Sequence, residues 1–166
     1  MAWENIDFAY HFYFGNAEKK TLTEIGLLAE VKAESGKLSI DRSGGFKDQI
    51  RNEARKVKEG DVNLSFERSY SFLAVRYALG GSVLHGKFKG TCTSVLENKY
   101  YVSGTTQIEY TDTFTDPLSV IEEVYGSSSS PDAPDWVKKA ADLGGTVYEI
   151  TGSWEEEFSS DVLLLT

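Results

Sequence analysis

Residues 61–114 show a hydrophobic pattern with a period of two. Val62, Leu64 and Phe66 alternate with polar residues, as they do in a strand that buries one face. Residues 72–79 are more continuously apolar, which is typical of a central strand that is covered on both sides. The pattern therefore predicts that this part of the chain is rich in β-structure.

The same period continues through residues 83–95 and 100–114. Residues 97–99 (Glu-Asn-Lys) separate the two segments and predict a tight turn. Gly86 and Gly90 lie inside the first segment, where glycine indicates a bulge or close packing. Short strands with short connections predict an antiparallel meander.

Aromatic residues alternate near the N-terminus. Phe8, Tyr10, Phe12 and Phe14 are spaced by two, which predicts an aromatic strand with one buried face. His11 lies on the other face of this predicted strand. A lone strand histidine is usually structural, but histidine is also the side chain that most readily exchanges a proton near neutral pH. His11 is therefore a candidate catalytic residue.

Two helices are predicted before the sheet. Residues 21–24 (Thr-Leu-Thr-Glu) match a capping box, and Ile25, Leu28 and Val31 continue at helical spacing toward Ser35. This segment predicts the first helix.

The second helix has the clearer pattern. Phe46, Ile50, Ala54 and Val57 recur at helical spacing, and Gly60 closes the segment. Polar residues occupy the remaining positions, as on an amphipathic surface helix.

The last part of the chain predicts a loop, a helix and a final strand. Residues 127–133 are rich in serine and predict a flexible loop. Residues 134–143 begin with proline and predict a short third helix. Residues 148–154 alternate as a strand does, and Val162–Leu165 forms a last apolar run.

These elements predict a single α+β domain over residues 1–166. We expect an antiparallel sheet of about five to seven strands, arranged as a meander. The two N-terminal helices should pack on this sheet, with the short third helix near residues 134–143.

Composition and charge narrow the classes of function. The chain has 166 residues, of which 40 % are hydrophobic, and a net charge of −9. It can therefore bury a core, but it lacks the basic excess that nonspecific binding to nucleic acid or to an anionic membrane requires. Cys92 is the only cysteine and the chain has two histidines, which excludes a disulfide framework and does not support a four-ligand zinc site.

The sequence also bears on localisation. No apolar run approaches the ~20 residues of a membrane span, and residues 1–8 lack the basic start of a cleaved signal peptide. We therefore expect a protein that stays in the cytoplasm or leaves it by a route without a cleaved N-terminal signal.

The segment 105–117 is the most informative one for function. Ile108, Tyr110 and Phe114 fall on one face of a predicted strand, and Asp112 interrupts that apolar face. A carboxylate that points toward a core costs several kcal/mol unless it is paired, protonated or bound to a cation. Asp112 is therefore the first candidate for a catalytic acid or base.

Structural alternatives accompany these acidic residues. Asp112 can form an ion pair with Arg68 or Arg76 on neighbouring strands. Asp116 is a second catalytic candidate, but the sequence favours it as the cap of a helix that begins at Pro117, because aspartate followed by proline is a common helix start.

A cation site is a further prediction. Asp116, Glu122 and Glu123 can supply the several oxygens that a hard cation such as Ca²⁺ or Mg²⁺ prefers.

Several short strings resemble a known group of proteins. They span most of the chain: H-F-Y-F-G and L-T-E-I-G-L-L (within 11–28), Q-I-R-N-E-A-R (49–55), F-E-R-S-Y-S-F (66–72), A-L-G-G (78–81), D-T-F-T-D-P (112–117) and Y-E-I-T-G-S-W (148–154). Their order and texture resemble the C-terminal effector domains of secreted bacterial toxins of the polymorphic-toxin and bacteriocin type.

Colicin M-like domains are the most specific part of this resemblance. They carry an Asp-x-Tyr-Asp strand motif followed by a His-Arg pair, and they cleave the lipid-linked peptidoglycan precursor in the periplasm. Asp112, Phe114 and Asp116 approximate the acidic half of that motif. The basic half has no counterpart downstream, since the last histidine is His85 and the last arginine is Arg76.

Three functions follow from these observations. The resemblance implies an antibacterial toxin that is secreted or delivered into a competitor, with Asp112 as the central acid or base, His11 and Arg51 as helpers, and a cognate immunity protein as partner. The alternative is an acidic immunity or inhibitor protein that binds a basic partner through an exposed surface such as Glu155–Glu157. The third is an interaction domain without catalysis.

Overall fold

The structure is a computed structural model that describes residues 1–164. Within these residues the elements are α1 (Asn5–Phe14), β1 (Lys20–Thr21), α2 (Leu28–Ser35), α3 (Phe46–Val57), β2 (Gly60–Tyr70), β3 (Ser82–Leu96), β4 (Lys99–Phe114), α4 (Pro117–Tyr125), α5 (Asp135–Lys138) and β5 (Tyr148–Leu163). Single turns of π- or 3₁₀-helix lie at Gly36–Ile40, Tyr77–Leu79 and Ala140–Asp142. Among the described helices, none is both long and apolar enough to cross a membrane.

The strands form a mixed sheet in the order β1-β5-β4-β3-β2, and most neighbours are antiparallel. A tight turn joins β3 to β4, and in it Asn98 has a φ of 60°, a left-handed conformation that asparagine tolerates. β1 runs parallel to β5, with Lys20 opposite Ile150 and Thr21 opposite Thr151. The predicted α+β class and the largely antiparallel sheet are confirmed, while β1 is too short to give a periodic signal in the sequence.

The chain forms two compact units. The first consists of Met1–Glu34, Ser69–Ser82 and Thr111–Gly152, and we call it the Asp112 unit. The second consists of Ser35–Arg68, Val83–Tyr110 and the described residues from Ser153 onward, and we call it the Arg51 unit.

Several aromatic rings meet in the core of the Asp112 unit, beside buried aliphatic side chains such as Leu22 and Ile25. The ring of Phe114 lies 6.0 Å from that of Phe8 and 5.5 Å from that of Tyr148. The Tyr148 hydroxyl is buried and donates a hydrogen bond of 2.8 Å to the Phe8 carbonyl. This bond satisfies the polar end of a ring that is otherwise in apolar surroundings.

The core of the Arg51 unit consists mainly of aliphatic and phenylalanine side chains. Helix α3 contributes the buried residues Phe46, Ile50 and Ala54, as the sequence predicts. They pack with residues of the strands, namely Val62, Phe88, Cys92, Val102, Phe158 and Val162. Cys92 thus packs as a small core hydrophobe.

Close packing explains the glycines of β3. A Cβ atom at Gly86 would collide with the Phe66 ring, and one at Gly90 would collide with the backbone of Ser103. Both glycines are required by close approach, one of the two readings that the sequence offered.

Residues 8–14 belong to helix α1 and do not form the predicted strand. The Asp7 carboxylate accepts a hydrogen bond of 2.8 Å from the Glu4 N–H, and the Gly15 N–H donates one of 2.8 Å to the His11 carbonyl. Both ends of the helix therefore have capping contacts. In a helix the spacing of two places Phe8 and Phe12 on one side and Tyr10 and Phe14 on the opposite side, so aromatic residues on the exposed side produced the strand-like pattern.

Residues 72–79 form turns and a short 3₁₀ helix and not the predicted central strand. The Phe72 N–H donates a hydrogen bond of 2.9 Å to the Leu79 carbonyl, which closes the segment into a loop. Phe72 and Leu79 are fully buried, whereas Leu73 and Tyr77 are 53 % and 36 % exposed. The apolar run is therefore a loop that is anchored in the core at its two ends.

The predicted capping box is present, but the helix starts later than predicted. The Thr21 N–H donates to Glu24 Oε1, and the Glu24 N–H donates to Thr21 Oγ1, both at 3.1 Å. The next residues form turns, and α2 begins only at Leu28. Helix α5 and the 3₁₀ turn after it occupy the region predicted for the third helix, 134–143. Leu165, the end of the predicted last apolar run, lies outside the described residues.

Candidate functional site

Asp112 lies near the end of β4, and its side chain is 7 % exposed. Buried residues along this strand (Ile108, Tyr110, Asp112, Phe114) alternate with exposed ones, so Asp112 is on the apolar face as predicted. Within residues 1–164 it is the one acidic side chain that is buried. Buried ionisable groups cluster at functional sites, so Asp112 is the first place to look for function.

Asp116 caps helix α4. Its Oδ1 atom accepts a hydrogen bond of 3.1 Å from the Ser119 N–H, and Pro117 occupies the first turn. The capping interpretation is therefore confirmed. The cap satisfies one backbone donor and places a negative charge at the positive end of the helix dipole. It also fixes the position of the carboxylate, whose catalytic role stays a prediction.

Both aspartates line a cleft of about 440 Å³ within the Asp112 unit. Its walls come from the turn between β2 and β3, the end of β4 and the start of α4. The lining residues are Ser71, Leu73, Tyr77, Ala78, Gly80, Gly81, Asp112, Thr113, Phe114, Thr115, Asp116, Ser119 and Val120. None of these residues is Lys, Arg or His, so the chemistry that they offer comes from carboxylates, hydroxyls and the backbone.

Two hydroxyls meet in this cleft. The Tyr77 hydroxyl lies 2.8 Å from Ser119 Oγ, and either group can be the donor. Ser119 is also the residue whose N–H is bonded to Asp116. The pair therefore joins the loop that carries Tyr77 to the capped end of α4.

His11 is not among the residues that line the cleft. Helix α1 buries its side chain, which is 9 % exposed, with Nε2 2.7 Å from the Glu18 carbonyl oxygen. Its ring lies 4.4 Å from the ring of Tyr148 and 5.5 Å from that of Trp3. His11 thus belongs to the aromatic core of the same unit as Asp112, where its contacts are structural.

Arg51 lies on α3 in the Arg51 unit. Its guanidinium forms a salt bridge of 2.7 Å with Asp48, donates to Ser160 Oγ at 3.0 Å and lies 5.2 Å from the centre of the Phe158 ring. The pKa of Asp48 is held below its usual range, first by a hydrogen bond from the Gly44 N–H and then by Arg51. These contacts account for Arg51 as a residue that fastens α3 to β5.

Arg76, one of the predicted partners of Asp112, has ion pairs elsewhere. Its guanidinium lies 3.4 Å from the Glu30 carboxylate and 3.7 Å from that of Glu4. It also donates a hydrogen bond of 2.7 Å to the Trp3 carbonyl. Arg76 therefore anchors the loop that follows β2 to the N-terminal segment.

The predicted cation ligands do not form a cluster. In the described part of the chain, no three His, Cys, Asp or Glu side chains are grouped as a metal ion requires, and this includes Asp116, Glu122 and Glu123. Glu122 and Glu123 are exposed on α4.

Two tyrosines, the buried Tyr148 and the half-buried Tyr13, have pKa values that the aspartates affect. Burial, and then the Asp112 carboxylate, raise the pKa of Tyr148 far above its usual range. Burial, and then Asp116, also raise the pKa of Tyr13. The direction is the expected one, since a negative neighbour opposes formation of a phenolate. Asp112 therefore lies within electrostatic reach of Tyr148.

A second cleft, of about 400 Å³, lies in the Arg51 unit. Its polar side chains include Glu67, His85, Lys87 and Glu109, all of which are exposed. His85 Nε2 lies 3.9 Å from Glu67, a distance typical of a weak surface pair. Because no buried ionisable group lines this cleft, the Asp112 cleft is the stronger candidate.

Sequence reasoning did not single out Tyr77 or Ser119. Tyr77 is inside the apolar run that predicted a central strand, and a side chain of such a strand is expected to lie in the core and not in a cleft. Ser119 follows from the cap itself, because an aspartate N-cap at 116 directs its carboxylate to the N–H three residues later.

Comparison with solved structures finds the same fold in bacteriocins. Truncated syringacin M from Pseudomonas syringae pv. tomato DC3000 has a TM-score of 0.51 and 14 % identity, over 95 % of this chain and 58 % of that one. PaeM, a colicin M-like bacteriocin of Pseudomonas aeruginosa, has a TM-score of 0.51 and 12 % identity, over 98 % and 52 % of the two chains. Pectocin M2 aligns with a TM-score of 0.47 and 15 % identity, over 99 % and 56 %.

These similarities concern the fold. A search of protein-family models gives no match, and a search of curated proteins gives none either. The chain spans a little over half the length of the solved bacteriocins that it matches. As the sequence resemblance implied, the solved structures that share this fold include the bacteriocin syringacin M and the colicin M-like bacteriocin PaeM.

Proposed function

We propose that this chain is an antibacterial toxin domain that acts as a hydrolase in the envelope of the target cell, with Asp112 at its reactive centre. The observation that carries the proposal is the position of Asp112, a carboxylate that is 7 % exposed and yet lines a cleft of about 440 Å³. The fold that the chain shares with syringacin M and PaeM supports a toxin over an inhibitor.

The chemistry of the cleft suits hydrolysis. Asp112 would accept a proton from a water molecule while the water oxygen bonds to the electrophilic atom of the substrate. The bond from that atom to the leaving oxygen breaks, and the leaving oxygen takes up a proton. The substrate that the resemblance implies is the lipid-linked peptidoglycan precursor, which the enzyme would meet in the periplasm. Asp116 would contribute a second carboxylate at a position fixed by the helix cap.

A toxin of this kind implies delivery and protection. The protein would be secreted or delivered into the target bacterium, and the producing cell would carry a cognate immunity protein. A net charge of −9 would steer the chain toward a basic partner surface.

Growth of a bacterial host that expresses the full chain tests the proposal. The chain is expressed in the cytoplasm or with an added periplasmic signal, each time beside Asp112→Asn. We expect killing from the periplasm alone, and a loss of at least about 100-fold in killing for Asp112→Asn, since removal of a general base typically costs a factor of 10²–10⁴. Circular dichroism and thermal melting check that the variant is folded.

Two further variants distinguish a general effect of charge and an effect on the helix cap from a loss of catalysis. Asp132→Asn removes the same charge from an exposed position outside the cleft and should kill as the wild type does. Asp116→Asn keeps a side chain that caps helices about as well as aspartate, so a loss of killing without a loss of stability would assign Asp116 to the chemistry. Absence of toxicity in both compartments would overturn the proposal.

The same experiment addresses the alternative of a binding module. A binder should tolerate Asp112→Asn and fail instead when its exposed acidic surface is changed at Glu155–Glu157. Glu155 accepts a hydrogen bond of 2.8 Å from Gln107 Nε2, so the test should replace Glu157, which is exposed, before Glu155.

A further inference from the structure

We infer that Tyr77 is a second catalytic residue of the Asp112 cleft, whose hydroxyl donates a hydrogen bond to the substrate oxygen that gains negative charge during hydrolysis. This inference rests on the proposed function. It concerns a residue that neither the sequence nor the resemblance to colicin M-like domains points to.

The first argument is the chemistry of the cleft. Hydrolysis places negative charge on an oxygen of the substrate, and donors aimed at that oxygen stabilise the transition state. Both charged side chains that line the cleft are negative, Asp112 and Asp116, and none of the lining residues is Lys, Arg or His. The donors that the lining side chains offer for that stabilisation are therefore neutral ones. Tyr77 and Ser119 are the two whose hydroxyls are held together, at 2.8 Å.

The second argument is access. Tyr77 is 36 % exposed while it lines the cleft, so a solute can reach its ring. A phenolic hydroxyl donates one hydrogen bond and accepts others. When the Ser119 hydroxyl donates to Tyr77, the proton of Tyr77 is available to a substrate.

The third argument is rigidity, because a donor helps most when it is already in place. Tyr77 begins a 3₁₀ turn that is held on both sides. Before it, Arg76 donates a hydrogen bond of 2.7 Å to the Trp3 carbonyl. After it, the Ala78 N–H donates one of 3.1 Å to Asn5 Oδ1. The Tyr77 backbone is thus fixed to the N-terminal segment, and its hydroxyl to α4.

Tyr77→Phe tests the inference, because it removes the hydroxyl and keeps the ring. The readouts are killing from the periplasm, kcat and KM for hydrolysis of the lipid-linked peptidoglycan precursor in detergent micelles, and the melting temperature. We expect kcat to fall about 100-fold, as when one oxyanion donor is removed, with a smaller change in KM and a melting temperature no lower than that of Ser119→Ala, which loses the same hydrogen bond. Tyr101→Phe, at a tyrosine that is 40 % exposed in the Arg51 unit, is the control and should behave as the wild type.

Ser119→Ala distinguishes catalysis from a structural bridge. If the hydroxyl pair only joins the loop to α4, both variants lose the same hydrogen bond and should show equal losses of stability and activity, which overturns the inference. If Tyr77 acts on the substrate, Ser119→Ala keeps the catalytic donor and retains most of the activity. Wild-type activity in Tyr77→Phe also overturns it.

The two proposals can fail separately. An inactive Asp112→Asn beside a fully active Tyr77→Phe would remove Tyr77 and leave the proposed function in place. An active Asp112→Asn, or a wild type that does not hydrolyse the precursor, would overturn both.

Discussion

The two units bury different kinds of polar side chain. In the Asp112 unit, the buried polar residues include His11 and Asp112, both of which can carry a charge. In the Arg51 unit, the buried polar residues among those described are Ser35, Ser39 and Thr106, and all of them are hydroxyl-bearing. A neutral hydroxyl in a core is satisfied by one or two hydrogen bonds, whereas an ionisable group also has a cost of desolvation.

Surface ion pairs do not distinguish the two units. Arg51 pairs with Asp48 at 2.7 Å in the Arg51 unit, and Arg76 pairs with Glu30 at 3.4 Å in the Asp112 unit. Such pairs are usually worth less than about 1 kcal/mol each. The difference lies in the buried polar side chains: the Asp112 unit buries a histidine and a carboxylate, which are residue types that functional sites use.

The largest effect on stability is expected from His11→Ala. The variant removes a buried ring that contacts Tyr148 and Trp3, together with the hydrogen-bonding contact to the Glu18 carbonyl. We expect the free energy of unfolding to fall by about 3 kcal/mol, as for other buried large-to-small substitutions. Urea denaturation measures this loss.

Killing by the same variant tells whether His11 is also a catalytic helper. If its role is structural, activity per folded molecule should be preserved at a temperature well below the melting point. Tyr10→Phe, which changes a half-exposed residue of the same helix, is the control and should alter neither quantity. A loss of killing in fully folded His11→Ala would instead assign His11 to the site, as the sequence analysis proposed.

The case of His11 shows what the sequence could and could not predict. It became a candidate on a predicted strand, yet residues 8–14 are helical. The exposed side of this helix carries the aromatic residues Tyr10 and Phe14, so no polar face reveals the helical period. Where one face is polar, as in α3, the period alone identifies the helix correctly. Local rules also sufficed for Asp116, whose capping role depends on the residues directly after it.

Of the candidate site, the sequence predicts Asp112 but not Tyr77, because only Asp112 affects a local hydrophobic pattern. Asp112 interrupts an apolar period, so its burial can be read from the chain. Tyr77 approaches Ser119, which is 42 residues away, because Arg76 and Ala78 fix a loop to the N-terminal segment. Contacts of that kind leave no periodic signal. They are established by tertiary packing, which overrides the apparent strand pattern of residues 72–79.

A smaller effect, visible in its pH dependence, is expected from Tyr148→Phe. Near neutral pH the variant loses the hydrogen bond to the Phe8 carbonyl, at a cost of about 1 kcal/mol. Since the pKa of Tyr148 is raised in the folded protein, the unfolded chain releases this proton first. The contribution is therefore fully present below about pH 10, the usual tyrosine pKa, and is lost as the pH rises.

Denaturation curves between pH 7 and about pH 11 check this sign. The stability of the wild type should fall more steeply than that of Tyr148→Phe, by up to about 1.4 kcal/mol per pH unit, so the difference between them narrows. Tyr101→Phe, at an exposed tyrosine, should run parallel to the wild type. A constant difference between wild type and Tyr148→Phe would mean that Asp112 and burial do not protect the phenol.

The smallest effect is expected from Arg51→Gln, a variant of the Arg51 unit that tests whether this unit affects stability alone. The variant removes the salt bridge to Asp48 and the cation–π contact with Phe158, but glutamine can still donate a hydrogen bond to Ser160. We expect a loss of about 0.5 kcal/mol in the free energy of unfolding, chiefly from the contact with the ring. Killing per folded molecule should not change, because the contacts of Arg51 fasten α3 to β5 and none of them is with a residue of the Asp112 cleft. A fall in killing without a fall in stability would show that Arg51 takes part in the activity, and the contrast between the two units would no longer hold.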